Sequence, residues 1–192
     1  MSGLSVVVRF ELVWFHGQVV PVLQMVVDLA GAGRLGALEC GLSLTQIQDL
    51  IGPFHERKTD LNPRSWRPRL HFWDDLEVLV CHEMAIGLTV PTWRPTVTLP
   101  AATIRWTGPL SVQLSRAEVL PALADAGIEW TPLNRPPQNG RAVDAVHVPG
   151  SRTSLMFTTA PEPERQRLHS VIVFRPEVDP NDHRPDQTGS PS

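Results

Sequence analysis

The chain has 192 residues, 42% of them apolar, enough to withdraw about 70% of its unfolded surface from water on folding. That excludes a disordered acidic or basic polymer. Its 17 Lys+Arg against 20 Asp+Glu leave a formal charge of −3 with no basic run, which argues against a nucleic-acid partner.

Residues 1–30 are apolar and rich in β-branched side chains. SVVVRFELVWF, His16-Gly17 and QVVPVLQMVVDLA read as a strand, a turn and a second strand interrupted by Pro21. Met25 offers an alternative start, which would make residues 1–24 an extension. Arg9, Glu11, His16 and Asp28 interrupt the segment. It therefore fits neither the apolar middle of a signal peptide nor the roughly 20 uncharged residues of a spanning helix. Glu39 stands where a lipoprotein cleavage site before Cys40 would need a small residue. The expectation is a soluble cytoplasmic protein with no membrane partner.

From Leu42 the pattern becomes regular. Ser43-Leu44-Thr45-Gln46 has the form of a capping box. Leu44, Ile47, Leu50 and Ile51 then share one helical face, and Gly52-Pro53 ends the helix. After a polar loop, Arg69 to Trp73, Asp74-Asp75 and Leu76 to His82 predict a hairpin with a two-residue acidic turn. Ile86, Leu88 and Val90 predict a third strand. Seventy-two residues after Ser43 the grammar returns: Ser115-Arg116-Ala117-Glu118 is a second capping box, Val119, Leu120 and Leu123 form its apolar face, and Gly127 closes it. Pro121 predicts a kinked or late-starting helix there. A Pro/Asn/Gly loop from Pro132 to Gly140 precedes strands at 142–148, 154–158 and 168–174. Residues 175–192, with four prolines and one aliphatic side chain, predict a disordered tail.

The fold class expected is α+β: two tandem helix-plus-β-meander units forming one antiparallel sheet with the short helices on one face. The divisions are 1–30, an apolar segment; 31–107 and 108–174, the two units; and 175–192, the tail. The order of LSLTQIQDLIGPF, a strand pair and LSRAEVLPALADAGI resembles the tandem unit of the beta-lactamase inhibitor protein family. The single unit is similar to that of small outer-membrane assembly lipoproteins, and the whole is similar to small actinobacterial proteins of this layout. The resemblance covers residues 42–174 and implies protein recognition by a sheet face or its loops. The chain departs from the inhibitor in having no evident signal peptide and no cysteine pair in each unit, so no inhibitory residue is carried over. Immunity proteins that neutralise a toxin are a further analogy of size and shape.

No GxGxxG, GxxxxGK, GxSxG, HExxH or CxxC motif is present, so nothing specific points to catalysis or to a cofactor. Cys40 and Cys81 are too few for a disulfide framework and lack metal-ligand spacing; buried thiols are the plainer reading, a single bridge the other. His71, His82, His147 and His169 fall on predicted strands. Neighbours on a strand point to opposite faces, so Cys81 and His82 would not reach one metal without a bulge. Asp74, Asp75 and Glu77 read as turn residues more than as an acid/base pair.

Tryptophan is the unusual element: six, with no tyrosine, and three beside an arginine. Trp and Arg dominate interface hot spots, since a flat ring gives area at little entropic cost and guanidinium adds forked donors. Trp66, Arg67, Trp73, Trp93 and Arg94 are the partner-binding candidates, against the alternative that tryptophans fill the core. The function this implies is a non-catalytic recognition module for a protein partner, of the immunity or inhibitor kind. The alternative is an enzyme or small-ligand binder with a pocket between helices and sheet that uses His71, His82 and Asp75.

Overall fold

Residues 19–55, 68–100, 110–111, 113–133 and 144–175 are described in the computed structural model of the chain. Its first element, α1 (Val19–Ala32), is a helix where the β-branched composition had suggested a strand. Strand propensity spans only about 1 kcal/mol, whereas full burial of one aliphatic side chain stabilises by about 1.5–3 kcal/mol. Val22, Met25, Val26, Leu29 and Ala30 recur at helical spacing and all are buried. Pro21 falls in the first turn, where a backbone N–H has no helical acceptor to lose. Because Val22 is fully buried, the core takes in a residue ahead of Met25.

The end of α1 is tied into the rest of the chain. Gly33, at φ +65°, donates to Leu29 O at 2.9 Å and turns the chain into the short hairpin β1 (Arg34–Leu35) and β2 (Leu38–Glu39). The buried hydroxyl of Ser151 donates to Ala30 O, supplying a partner for a carbonyl that no further helical turn would satisfy, and the buried Thr153 hydroxyl adds a second donor, at 3.3 Å, to Leu29 O.

Helix α2 (Leu44–Ile51) opens with the expected capping box: Gln46 N donates to Ser43 Oγ at 3.2 Å and Ser43 N to Gln46 Oε1 at 2.8 Å. Leu44, Ile47 and Ile51 pack on the core, but Leu50 turns away and is 40% exposed. Strands β3 (Arg69–Trp73), β4 (Leu76–Cys81) and β5 (Met84–Pro91) follow as a meander, with β6 (Thr96–Val97) and β7 (Leu110–Ser111) paired apart from it. Helix α3 (Arg116–Asp125) starts at its cap and runs through Pro121, so it does not start late. Then come β8 (Thr131–Pro132), β9 (Asp144–Val148), β10 (Thr153–Phe157) and β11 (Leu168–Phe174).

The fold is α+β. Seven strands form one antiparallel sheet in the order β3-β4-β5-β11-β10-β9-β8. Its centre is the pairing of β5 with β11, Leu88 opposite Val173 and Val90 opposite Val171. On one face Trp73, Leu76, Val78, Leu88, Val90, Val171, Val173, Leu155 and Phe157 join Ile47 of α2, Val119 and Leu123 of α3, and the buried side of α1 in a single core. The three helices among the described residues thus cover the same face, one more than expected. The boundary placed between residues 107 and 108, the strand and turn read within residues 1–18, and the tail beyond Arg175 fall outside the described residues.

Two consequences can be measured. A Cβ on Gly33 would lie 2.6 Å from Ser151 O in a backbone region that disfavours side chains. Gly33→Ala should therefore lower stability by more than about 1 kcal/mol in urea unfolding. In α3, the Ser115 hydroxyl and then its N–H, donating at 2.6 and 2.7 Å, hold the Glu118 carboxyl below its ordinary value of 4.5, with Arg167 adding to this and partial burial opposing it. The folded value being the lower one, the stabilisation is full above the unfolded value and disappears as pH falls through the folded value. Glu118→Gln should be less stable than wild type at pH 7, and the gap should close in unfolding titrations carried below pH 4.5.

Candidate functional site

The tight turn between β3 and β4 organises the most exposed aromatic among the described residues. Asp74 takes the left-handed conformation at φ +51° that aspartate tolerates better than most side chains. Asp75 then faces the segment that follows β5. Its N–H donates to Thr98 O at 3.0 Å, and its carboxylate accepts from Thr98 N at 2.8 Å and from the Arg94 guanidinium. The acidic turn is thus both a turn and a clamp. Arg94 in turn lies over the Trp93 ring, with its guanidinium carbon 5.1 Å from the ring centroid. Trp93 is 58% exposed, on a loop fixed at its base.

Trp73 does not share that role. It lies on the core phase of β3 opposite Leu76, is 2% exposed, and donates from Nε1 to Gly52 O at 2.7 Å. Phe54 packs on it edge-on, ring centroids 5.6 Å apart, and His71 meets the same Phe54 ring at 4.6 Å. The polar residues beside Trp73 had suggested display; the alternation of the strand sends the ring inward instead. Trp66 and Arg67 lie outside the described residues. Between the end of α2 and the β3–β4 turn runs an open groove of about 350 Å3, lined by Leu50, Ile51, Pro53, His55, Trp73, Asp74 and Pro100.

The residues expected to serve a catalytic pocket are dispersed. Asp75 and His82 flank opposite ends of the six-residue strand β4, about 20 Å apart at roughly 3.3 Å per residue. His71 is half-buried against Phe54. His82 is not on a strand at all: with Glu83 it forms the β4–β5 turn, at φ +48° and +66°. That turn swings its ring back, so Nδ1 lies 3.2 Å from Cys81 Sγ. Strand alternation, which had separated the two side chains, does not apply to a turn residue. Cys40 and Cys81 are both buried and unbridged, Cys40 within the core and Cys81 on the phase of β4 that faces away from it. Among the described residues no three His, Cys, Asp or Glu side chains converge.

The sheet's far face is uneven. Leu70, Phe72, Leu79 and Ile172 are half-buried and Phe174 is 44% exposed, while Ala145, Ser154, Met156 and Ser170 are buried. No helix among the described residues is long and apolar enough to cross a membrane. Comparison with protein-family models, curated proteins and solved structures gives no match to this chain.

The two tryptophans should separate cleanly by mutation. Trp73→Phe leaves the Gly52 carbonyl without its donor and should cost about 1–3 kcal/mol in denaturant unfolding. Trp93→Ala should change stability by no more than about 0.5 kcal/mol.

Proposed function

We propose that the chain is a non-catalytic protein-recognition module of the immunity or inhibitor kind, acting in the cytoplasm, with Trp93 and Arg94 at the centre of its contact with a protein partner. The observation that carries this reading is the display of Trp93. An indole is 58% exposed on a loop pinned by the Asp75 hydrogen bonds, with a guanidinium against its ring. Because the loop is held before binding, little ordering entropy remains to be lost when a partner covers the ring. Trp and Arg together are the side chains most often found to dominate interfaces. The nearby groove, with Leu50 at its rim, gives a neighbouring apolar surface onto which the contact can extend. The order of elements, a capped helix followed by a meander on each side of the central seam, supports the same reading through its likeness to inhibitor folds.

The test is affinity capture from source-cell lysate with the tagged full chain, followed by titration of the captured protein after it has been purified. Trp93→Ala should weaken binding about 30-fold or more, the equivalent of a 2 kcal/mol hot spot. Arg94→Ala should weaken it less, and Asp75→Asn should weaken it by loosening the loop. A partner bound equally by wild type and Trp93→Ala overturns the site, and the absence of any stoichiometric partner overturns the function.

A further inference from the structure

We propose that the hairpin joining β4 to β5 is a binding site for a soft metal ion, Cu(I), with the Cys81 thiolate, the His82 imidazole and the Met84 thioether as ligands. The inference is independent of the recognition reading, since it concerns the opposite end of β4. Three observations bring the donors together. Cys81 Sγ already lies 3.2 Å from His82 Nδ1. Cys81 and Met84 are Cα partners closing the hairpin, so their side chains project from the same face. The turn between them is docked on the start of α2, with Leu44 N donating to Glu83 O at 2.8 Å and Ala85 N to Leu42 O at 2.9 Å. The ligand-bearing backbone is therefore fixed in advance, as a tight site requires.

The donor set selects the ion. Thiolate and thioether sulfur with imidazole suit Cu(I), while magnesium and calcium need oxygen ligands. A structural zinc site takes four N, S or O ligands, and no three His, Cys, Asp or Glu side chains converge among the described residues. With metal–ligand bonds of about 2.0–2.3 Å, one ion spans a sulfur and a nitrogen about 3.5 Å apart, a few tenths beyond the present contact. The three residues grade from interior to surface: Cys81 is buried, Met84 half-buried and His82 exposed. An ion would thus arrive on the imidazole and end on the sulfurs. Binding exchanges the Cys81 S–H proton for the metal and releases it to solvent, with no change of oxidation state.

The experiment titrates the purified full chain, under anaerobic reducing conditions, against Cu(I) held by a coloured bicinchoninate chelator. Wild type should withdraw one Cu(I) per chain, and Cys81→Ser should lose that capacity. Two milder variants guard against misfolding: Met84→Leu keeps the volume and His82→Asn keeps a residue that tolerates a positive φ. Each, folded by circular dichroism, should weaken binding tenfold or more, while Cys40→Ser should bind as wild type does. The proposal fails if wild type leaves the chelator complex intact, if Cys40→Ser removes as much binding as Cys81→Ser, or if Met84→Leu and His82→Asn both retain wild-type affinity.

Discussion

The pairing of Gly87–Pro91 with Ser170–Phe174 is the constraint on which the architecture depends. On one side of it lie β3, β4 and β5, which follow α2, and on the other β8, β9, β10 and β11, which follow α3. Joined antiparallel, they present Leu88, Val90, Val171 and Val173 as one continuous strip, and α1 packs against β10, β11 and α3. The seam is also where the backbones crowd. A side chain on Gly87 would meet Leu79 Cβ at 3.3 Å and Phe174 and Val173 at 3.4 Å. The paired residues of the seam are 79 to 87 apart in sequence, so forming it closes a long loop before the core rewards the closure. The hydroxyls of Ser151 and Thr153, at the start of β10, bind carbonyls in the last turn of α1 and fasten that helix beside β10 and β11.

What could be read in the sequence was what is decided locally. Ser43/Gln46 and Ser115/Glu118 lie three residues apart, and their reciprocal hydrogen bonds need nothing from the remainder of the chain. The Asp74-Asp75 turn is legible for the same reason, since flanking alternation fixes both strands and the turn between them. Helix α1 was not legible, because valine-rich segments suit strands in isolation and only packing against α3 and the sheet makes a helix the better solution. Leu50 shows the same limit at a single position: it shares the apolar stripe of α2 in projection, yet the core curves away from it and leaves it at the groove.

The candidate site was half legible for a related reason. Composition picks out Trp and Arg, but whether a tryptophan is displayed depends on strand phase and on long-range clamps. Trp73, beside two aspartates, is carried inward by the phase of β3; Trp93, beyond the end of β5, has no strand phase and stays outside because Asp75 holds Thr98 and Arg94. The Cys81–His82 contact was invisible because it requires two successive residues without glycine to adopt positive φ. That conformation costs about 1–2 kcal/mol per residue, and no local preference of His-Glu predicts it. The bonds from Leu44 and Ala85 to the neighbouring backbone offset it.

Strand β4 therefore has a different environment at each end, with its side chains Leu76, Val78 and Val80 buried between them. At one end a carboxylate clamps an aromatic loop; at the other a turn gathers sulfur and imidazole. Packed strands do not deform gradually, and the two sites lie at opposite ends of the six-residue strand, about 20 Å apart at roughly 3.3 Å per residue. Free-energy changes from substitutions at Arg94 and at His82 should accordingly add, as they do for sites more than about 10 Å apart with no shared partners. A coupling energy well above about 0.5 kcal/mol between them would mean that β4 shifts as a unit, and that occupancy at one end is sensed at the other.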